Sequence, residues 1–446
     1  MAAHWFEEAL IGDSLARAVR VEVDAFGTLV SVTPESDIEG AEVHKGLAIP
    51  ALANLHSHAF QRAMAGLAET SDGRPDDFWG WRERMYGFVG RLDQEDIEAI
   101  AAQTYVEMLK GGYGSVVEFH YVHRAPEGVW YDDKAATARA IVRGAQAAGI
   151  GLVLAPVVYM TAGFDGAPLS ERQKRFTCSP EDVAEIRGLI EKDGVRTALA
   201  LHSLRAAPGA AVQQALALSP QGPIHIHIAE QTAEVEASLA HTGRRPVDYL
   251  FDLVSVDQRW CLVHATHMSH EETRRVAHSG AVAGICPSTE GDLGDGFFPM
   301  QAFEQAGGVY GVGSDSHVVI DAAEELRWLD YGLRLQTRKR FGQGAIGHRG
   351  ANLWRAATTG GAAALGQAVG GIVAGARADI LVLDPDHPSQ IGREGFSRLD
   401  ALVFSNQGRP FSTVLSGGRT VIREGRHDAE DAIRSRYART LKKLVA

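Results

Sequence analysis

Eight apolar, β-rich runs recur along the chain, each followed by a stretch of helical periodicity, and this alternation constrains the fold more than any other feature. The runs end near Leu55, Phe119, Val158, His202, Ile228, His264, Cys286 and Asp315. Helices are predicted at 94–110, 133–148, 180–192 and 269–279. The last opens on Ser269-His270-Glu271-Glu272, a pattern in which serine and glutamate cap each other's backbone N–H groups. Alternation of this kind builds a parallel sheet wrapped by helices, because a parallel pair needs a long crossover. With eight units between residues 49 and 371 and no nucleotide-binding glycine fingerprint, the expected fold is α/β, a closed (β/α)8 TIM-like barrel. Gly311-Val312-Gly313-Ser314 comes at the last run without opening a helix, and its glycines predict backbone room beside a site.

The two ends read differently. Residues 1 to 48 alternate polar and apolar side chains, as in Ala18-Val19-Arg20-Val21-Glu22-Val23-Asp24-Ala25, and so do segments 378–383 and 412–418. Short strands broken by Gly and Asp predict a small β-sandwich domain made jointly by residues 1–48 and 372–446, with the barrel, 49–371, between them. A chain of 446 residues with 45% hydrophobic and 22% charged content has core enough for both. No apolar stretch is long enough to span a bilayer and the first residues lack a signal-peptide pattern, so a cytoplasmic protein without a membrane partner is expected. A net charge of −12 argues against nucleic acid and means that an anionic ligand must be held by local arginines. Cys178, Cys261 and Cys286 are widely spaced, with no Cys-x-x-Cys, and read as core thiols.

The chemistry gathers at the run ends, where a (β/α)8 barrel carries its catalytic groups. His56-Ser57-His58 closes the first run, and because alternate strand residues share a face, its two imidazoles point at one spot. His225-Ile226-His227-Ile228-Ala229-Glu230 closes the fifth, His264-Ala265-Thr266-His267 the sixth and Ser314-Asp315-Ser316 the eighth. A lone His-x-His is commonly a surface pair. Further strand ends carrying His, Glu or Asp outweigh that reading, since neutral imidazoles plus one carboxylate are what a borderline-soft divalent ion takes.

Six segments carry a resemblance: Leu55-His56-Ser57-His58-Ala59-Phe60-Gln61-Arg62-Ala63-Met64-Ala65-Gly66, His202-Ser203-Leu204-Arg205, His227-Ile228-Ala229-Glu230-Gln231, His264-Ala265-Thr266-His267-Met268, Ser314-Asp315-Ser316 and Glu324-Glu325-Leu326-Arg327-Trp328-Leu329-Asp330-Tyr331-Gly332. Together they resemble the amidohydrolase superfamily in its mononuclear deaminase branch, and locally its formiminoglutamate deiminases. Gly375-Ala376-Arg377-Ala378-Asp379-Ile380-Leu381-Val382-Leu383 is similar to that family's C-terminal sandwich, so the resemblance runs through the whole chain. It implies that His56, His58, His227 and Asp315 bind one zinc, or another divalent ion, per chain. The fourth run ends in His202, with no lysine where binuclear relatives carry a carbamylated bridge, so a single metal is expected. The resemblance further implies that Glu230 shuttles a proton from water to the departing nitrogen and that His264 orients or polarises the attacking oxygen. Gln61, Arg82, Tyr121, His202 and Arg205 match its substrate-binding set. His225 and His267 are expected to face away or to support the ligands.

The implied substrate, N-formimino-L-glutamate, carries two carboxylates and an amidine-like formimino group, so its site should offer paired arginines. Arg205, just after the fourth run, and Arg82, in the long loop after the first, are the candidates. The implied reaction is zinc-dependent hydrolysis to N-formyl-L-glutamate and ammonia in histidine degradation. Two alternatives stay open. A deaminase of the same branch acting on a guanine, cytosine or adenosine-type ring would share the metal residues and be marked by aromatic platforms in place of arginines. A non-catalytic metal-binding barrel would leave Glu230 without a purpose. Many relatives form dimers, but no heptad or exposed apolar stripe here decides on a homodimer.

Overall fold

In the computed structural model, which describes residues 1–69, 78–341 and 346–445, the eight apolar runs become eight parallel strands that neighbour one another in chain order. They are β1 (Leu52–Ser57), β2 (Tyr113–His120), β3 (Gly151–Val158), β4 (Leu199–Leu201), β5 (Ile224–Ile228), β6 (Trp260–His264), β7 (Val282–Ile285) and β8 (Val309–Val312). Every residue of β1, β2, β5, β6 and β7 is buried. Burial on both faces is why most of these strands read as near-continuous apolar runs, although β5 alternates isoleucine with buried histidine. The end of the first strand meets the turn after the last at one bridge, Ser57 opposite Asp315, so the barrel closes beside the predicted ligands.

Local signals set the helix starts. Helix α1 spans Phe78–Val89 and α2 spans Gln94–Lys110. Asp93 starts α2 by accepting the Asp96 N–H at 2.9 Å while Asp96 accepts the Asp93 N–H at 3.1 Å. The cap predicted at Ser269 forms in the same way: Ser269 Oγ accepts the Glu272 N–H at 3.1 Å and Glu272 accepts the Ser269 N–H at 2.7 Å.

Strands from both termini come together, hydrogen-bonded in one eight-stranded sheet. Ala2–Ile11 pairs antiparallel with Ser14–Val23 and parallel with Glu42–Pro50, against which Ile380–Leu383 runs antiparallel. The two-residue strand period divides its apolar side chains between two cores. Leu47, Ile49, Leu381 and Leu383 join the barrel core, whereas Ala48, Ile380 and Val382 pack with Phe6, Val19 and Val21 in a separate one. The final helix, Glu430–Val445, leaves the sheet and lies along α2, where Lys110 pairs with Glu430 and Lys443 with Asp93 and Asp96. The three cysteines are free and buried, as expected. Among the described residues no helix is long and apolar enough to cross a membrane.

Candidate active site

His56 and His58 end β1, His227 ends β5 and Asp315 follows β8, and their donor atoms converge. His56 Nε2 lies 3.1 Å from His58 Nε2, 3.0 Å from His227 Nε2 and 3.3 Å from Asp315 Oδ1. His58 Nε2 is also 3.3 Å from that oxygen. The far ring nitrogens fix the tautomers. His58 Nδ1 donates to the Phe119 carbonyl at 2.9 Å and His227 Nδ1 to the His202 carbonyl at 2.8 Å, so both present an Nε2 lone pair to the centre. Burial holds the three imidazoles neutral, His56 down to about 3 and the other two below the usual histidine range. Burial alone would raise the Asp315 carboxyl, but the hydrogen bond from His56 and the nearness of His56, His58 and the cationic His264 take it below the usual carboxylate range.

Lone pairs and a carboxylate oxygen this close repel one another unless a cation lies among them. A tetrahedral ion with bonds of about 2.0–2.1 Å sets its ligands roughly 3.3 Å apart. The donor set therefore fits one divalent ion.

The backbone is strained where these side chains are aimed. Among the described residues nine non-glycine residues adopt positive φ, and five of them, Ala229, His264, Ala265, Asp315 and His317, lie at or just beyond the ends of β5, β6 and β8. Gly313 supplies the room predicted for it: a Cβ there would come within 2.8 Å of the His56 carbonyl oxygen and 2.9 Å of its nitrogen.

Glu230 follows β5 and places Oε1 3.5 Å from His264 Nε2. That nitrogen is 3.8 Å from Asp315 Oδ2, while His264 Nδ1 meets Glu290 Oε1 at 3.3 Å. Burial disfavours a charged His264, yet Glu230, Glu290 and Asp315 outweigh it and raise the imidazole to about 10. Burial lifts Glu230 to about 7, against the pull of His264 and with Asp315 and Glu234 adding to the rise.

A cavity of about 550 Å³, open solvent at its mouth included, sits over this cluster, and Gln61, Arg82, Tyr121, His202 and Arg205 all line it. Gln61 Nε2 donates to the Tyr121 hydroxyl at 2.9 Å, which leaves Gln61 Oε1 buried with no hydrogen-bond partner among the described residues. Arg82, expected in a loop, stands on α1, whose helical backbone presents it to the cavity. His225 turns away from the centre and meets the Ala364 carbonyl at 2.9 Å, and His267 meets the Asp295 carbonyl at 2.7 Å. Sequence reasoning missed Glu290 and the aromatic wall of Trp81, Tyr86, Tyr159 and Phe176. Glu290 had a usable signal, since it lies four residues beyond the seventh run, in Cys286-Pro287-Ser288-Thr289-Glu290. The wall residues come from scattered segments with no shared period.

The sequence pattern of the amidohydrolase family matches residues 47–421. A formimidoylglutamate deiminase from Pseudomonas aeruginosa is 47% identical over 455 aligned positions, covering 100% of both chains. A 5-methylthioadenosine/S-adenosylhomocysteine deaminase from Natronomonas pharaonis is 28% identical over 92% of this chain and 88% of its own. Among solved structures, an amidohydrolase from Brucella melitensis superposes with a TM-score of 0.94 at 39% identity, covering 100% of both chains. An adenosine deaminase from Xanthomonas campestris with bound zinc gives 0.82 at 21% identity, covering 99% of this chain and 98% of its own, a likeness of fold.

Proposed function

The chain belongs to the amidohydrolase family, and from that premise we propose that it hydrolyses N-formimino-L-glutamate to N-formyl-L-glutamate and ammonia, a step of histidine degradation in the cytoplasm. We assign one zinc per chain to His56, His58, His227 and Asp315. When bound, such an ion acts as a Lewis acid and lowers the pKa of water toward about 7.

The chain's own groups do the rest. Glu230, raised to about 7, is poised to take a proton from water and return it to the leaving nitrogen. His264, cationic among its carboxylates, faces the same point and stabilises negative charge developing on the attacked group. Glu290 holds the imidazole from its far side. The partnerless Gln61 Oε1 offers an acceptor to a formimino N–H. Arg82 and Arg205 supply charge for the two carboxylates.

The observation that carries this reading is the placing of both arginines in one cavity with Glu230 and the histidine cluster, in a chain of net charge −12. The aromatic wall would also suit a purine or pyrimidine, but a neutral ring forms no ion pair with the two guanidinium groups, whereas a dicarboxylate forms two. Ammonia release from N-formimino-L-glutamate, set against guanine, cytosine and adenosine, decides between them. The glutamate derivative should be turned over in strong preference, and faster release from any of the rings sinks the assignment. Arg205→Met should raise KM for the dicarboxylate at least tenfold, since a charge-assisted contact contributes about 1.5–3 kcal/mol. An unchanged KM in a folded variant removes Arg205 from the substrate site.

A further inference from the structure

A chain of buried hydrogen bonds crosses the seam between β1 and β8 beside the histidine cluster, and none of its members lines the cavity. The direction of each bond follows from chemistry. The Glu118 carboxylate accepts the Ala59 N–H at 2.8 Å, the Ser57 hydroxyl at 2.5 Å and the Tyr105 hydroxyl at 3.0 Å. Because the Ser57 hydroxyl spends its proton on Glu118, His317 Nε2, 3.1 Å away, donates to Ser57 Oγ. In a neutral ring Nδ1 is then an acceptor, and Ser314 Oγ, at 2.9 Å, donates to it. Ser314 Oγ accepts in turn from Asn54 Nδ2 at 2.6 Å. Asn54 Oδ1 takes the backbone N–H groups of Ser314 at 3.2 Å and His56 at 3.3 Å.

The seam itself has a further side-chain bond, from Arg62 to the His317 carbonyl at 2.9 Å. Its backbone bonds are His58 N–H to the Asp315 carbonyl at 3.2 Å and Asp315 N–H to the His56 carbonyl at 3.1 Å, both made by residues of the ligand set. The side-chain relay crosses from strand to strand twice, at Asn54 to Ser314 and at His317 to Ser57. Asn54, Ser57, Glu118, Ser314 and His317 are all almost wholly buried. A buried relay in which every donor has an acceptor resists displacement of any member, because a broken link strands a polar group away from water.

We propose that Asn54, Ser57, Glu118, Ser314 and His317 form a clamp of positioning residues. It holds the His56-Ser57-His58 turn and the Asp315 turn at the spacing a divalent ion requires, so that retention of the ion depends on groups that never touch it. The proposal rests on the metal assignment to His56, His58, His227 and Asp315.

Cobalt(II)-loaded protein gives the test, with release into excess chelator followed by the cobalt d–d absorption band. Ser57→Ala should alter the band and release cobalt faster than wild type, approaching the roughly 10- to 100-fold that follows loss of a ligand's own hydrogen-bond partner. Ser314→Ala cuts the same relay on the other strand and should do the same, which keeps the proposal testable if one variant fails to fold. Tyr105→Phe removes a bond to Glu118 without touching the seam, and should keep the wild-type band and release rate. The clamp is overturned if Ser57→Ala and Ser314→Ala hold cobalt as wild type does, or if Tyr105→Phe loosens it equally. A wild-type protein that binds no cobalt would instead remove the metal assignment beneath it.

Discussion

Glu230→Gln is expected to keep its metal and lose between about 100- and 10,000-fold of kcat, the range that a general acid–base group supplies. The substitution is nearly isosteric, and Glu230 stands apart from the converging donors of His56, His58, His227 and Asp315. What the amide cannot do is accept a proton from water. The pH profile gives the same prediction a second readout. Burial is the largest cause of the raised Glu230 pKa, which lies at about 7. The active form is the carboxylate, populated above the pKa, so wild-type kcat/KM should fall as pH drops through the Glu230 titration, and the variant should lose that limb. Turnover near the wild-type rate, with the limb intact, would take Glu230 out of the mechanism.

Replacing two ligands should have the larger effect on binding. His56→Ala combined with Asp315→Ala removes two of four donors, and its loss of affinity should far exceed the roughly 10- to 100-fold that follows loss of an outer hydrogen-bond partner. Elemental analysis should find one metal per wild-type chain and only traces in the variant. An ion that binds only the folded state also stabilises it by mass action, so chelator should lower the melting temperature of the wild type and leave that of the variant unchanged. Two metals per wild-type chain, or full loading of the variant, would contradict the single four-donor site.

Much of this was legible because the barrel writes itself into sequence twice. Strands buried on both faces become apolar runs, and catalytic side chains must stand where those runs stop. His56 and His58 could be placed on one face from strand geometry alone, and Gly313 could be read as space for a close backbone approach. Three kinds of feature were not legible. Arg82 belongs to α1, but its direction toward the cavity depends on how that helix docks, which no periodicity encodes. The Glu118 relay joins β1, β2 and the turn after β8 through single polar residues, each of which alone looks like an isolated buried side chain. Tyr159 and Phe176 face the cavity from separate segments, and Gln173, which ties the Tyr86 and Tyr159 hydroxyls at 3.2 and 3.1 Å, lies in neither strand nor α-helix. Polar residues within fully buried strands, such as Asn54 and Glu118, were the available signal, since burial without a partner is costly and implies one.

The bond broken should be the one to the terminal imino nitrogen. An oxygen from water adds to the formimino carbon in either outcome, and the nitrogen that Glu230 protonates decides which one leaves. If Arg82 and Arg205 hold both carboxylates, the glutamate nitrogen stays on the clamped side and the free imino end lies within reach of Glu230. Proton NMR of the products of N-formimino-L-glutamate hydrolysis measures this directly. The formyl proton and glutamate resonances of N-formyl-L-glutamate, with ammonia in equal amount, are the predicted result; formamide and free glutamate as the main products would contradict both the pose and the deiminase assignment.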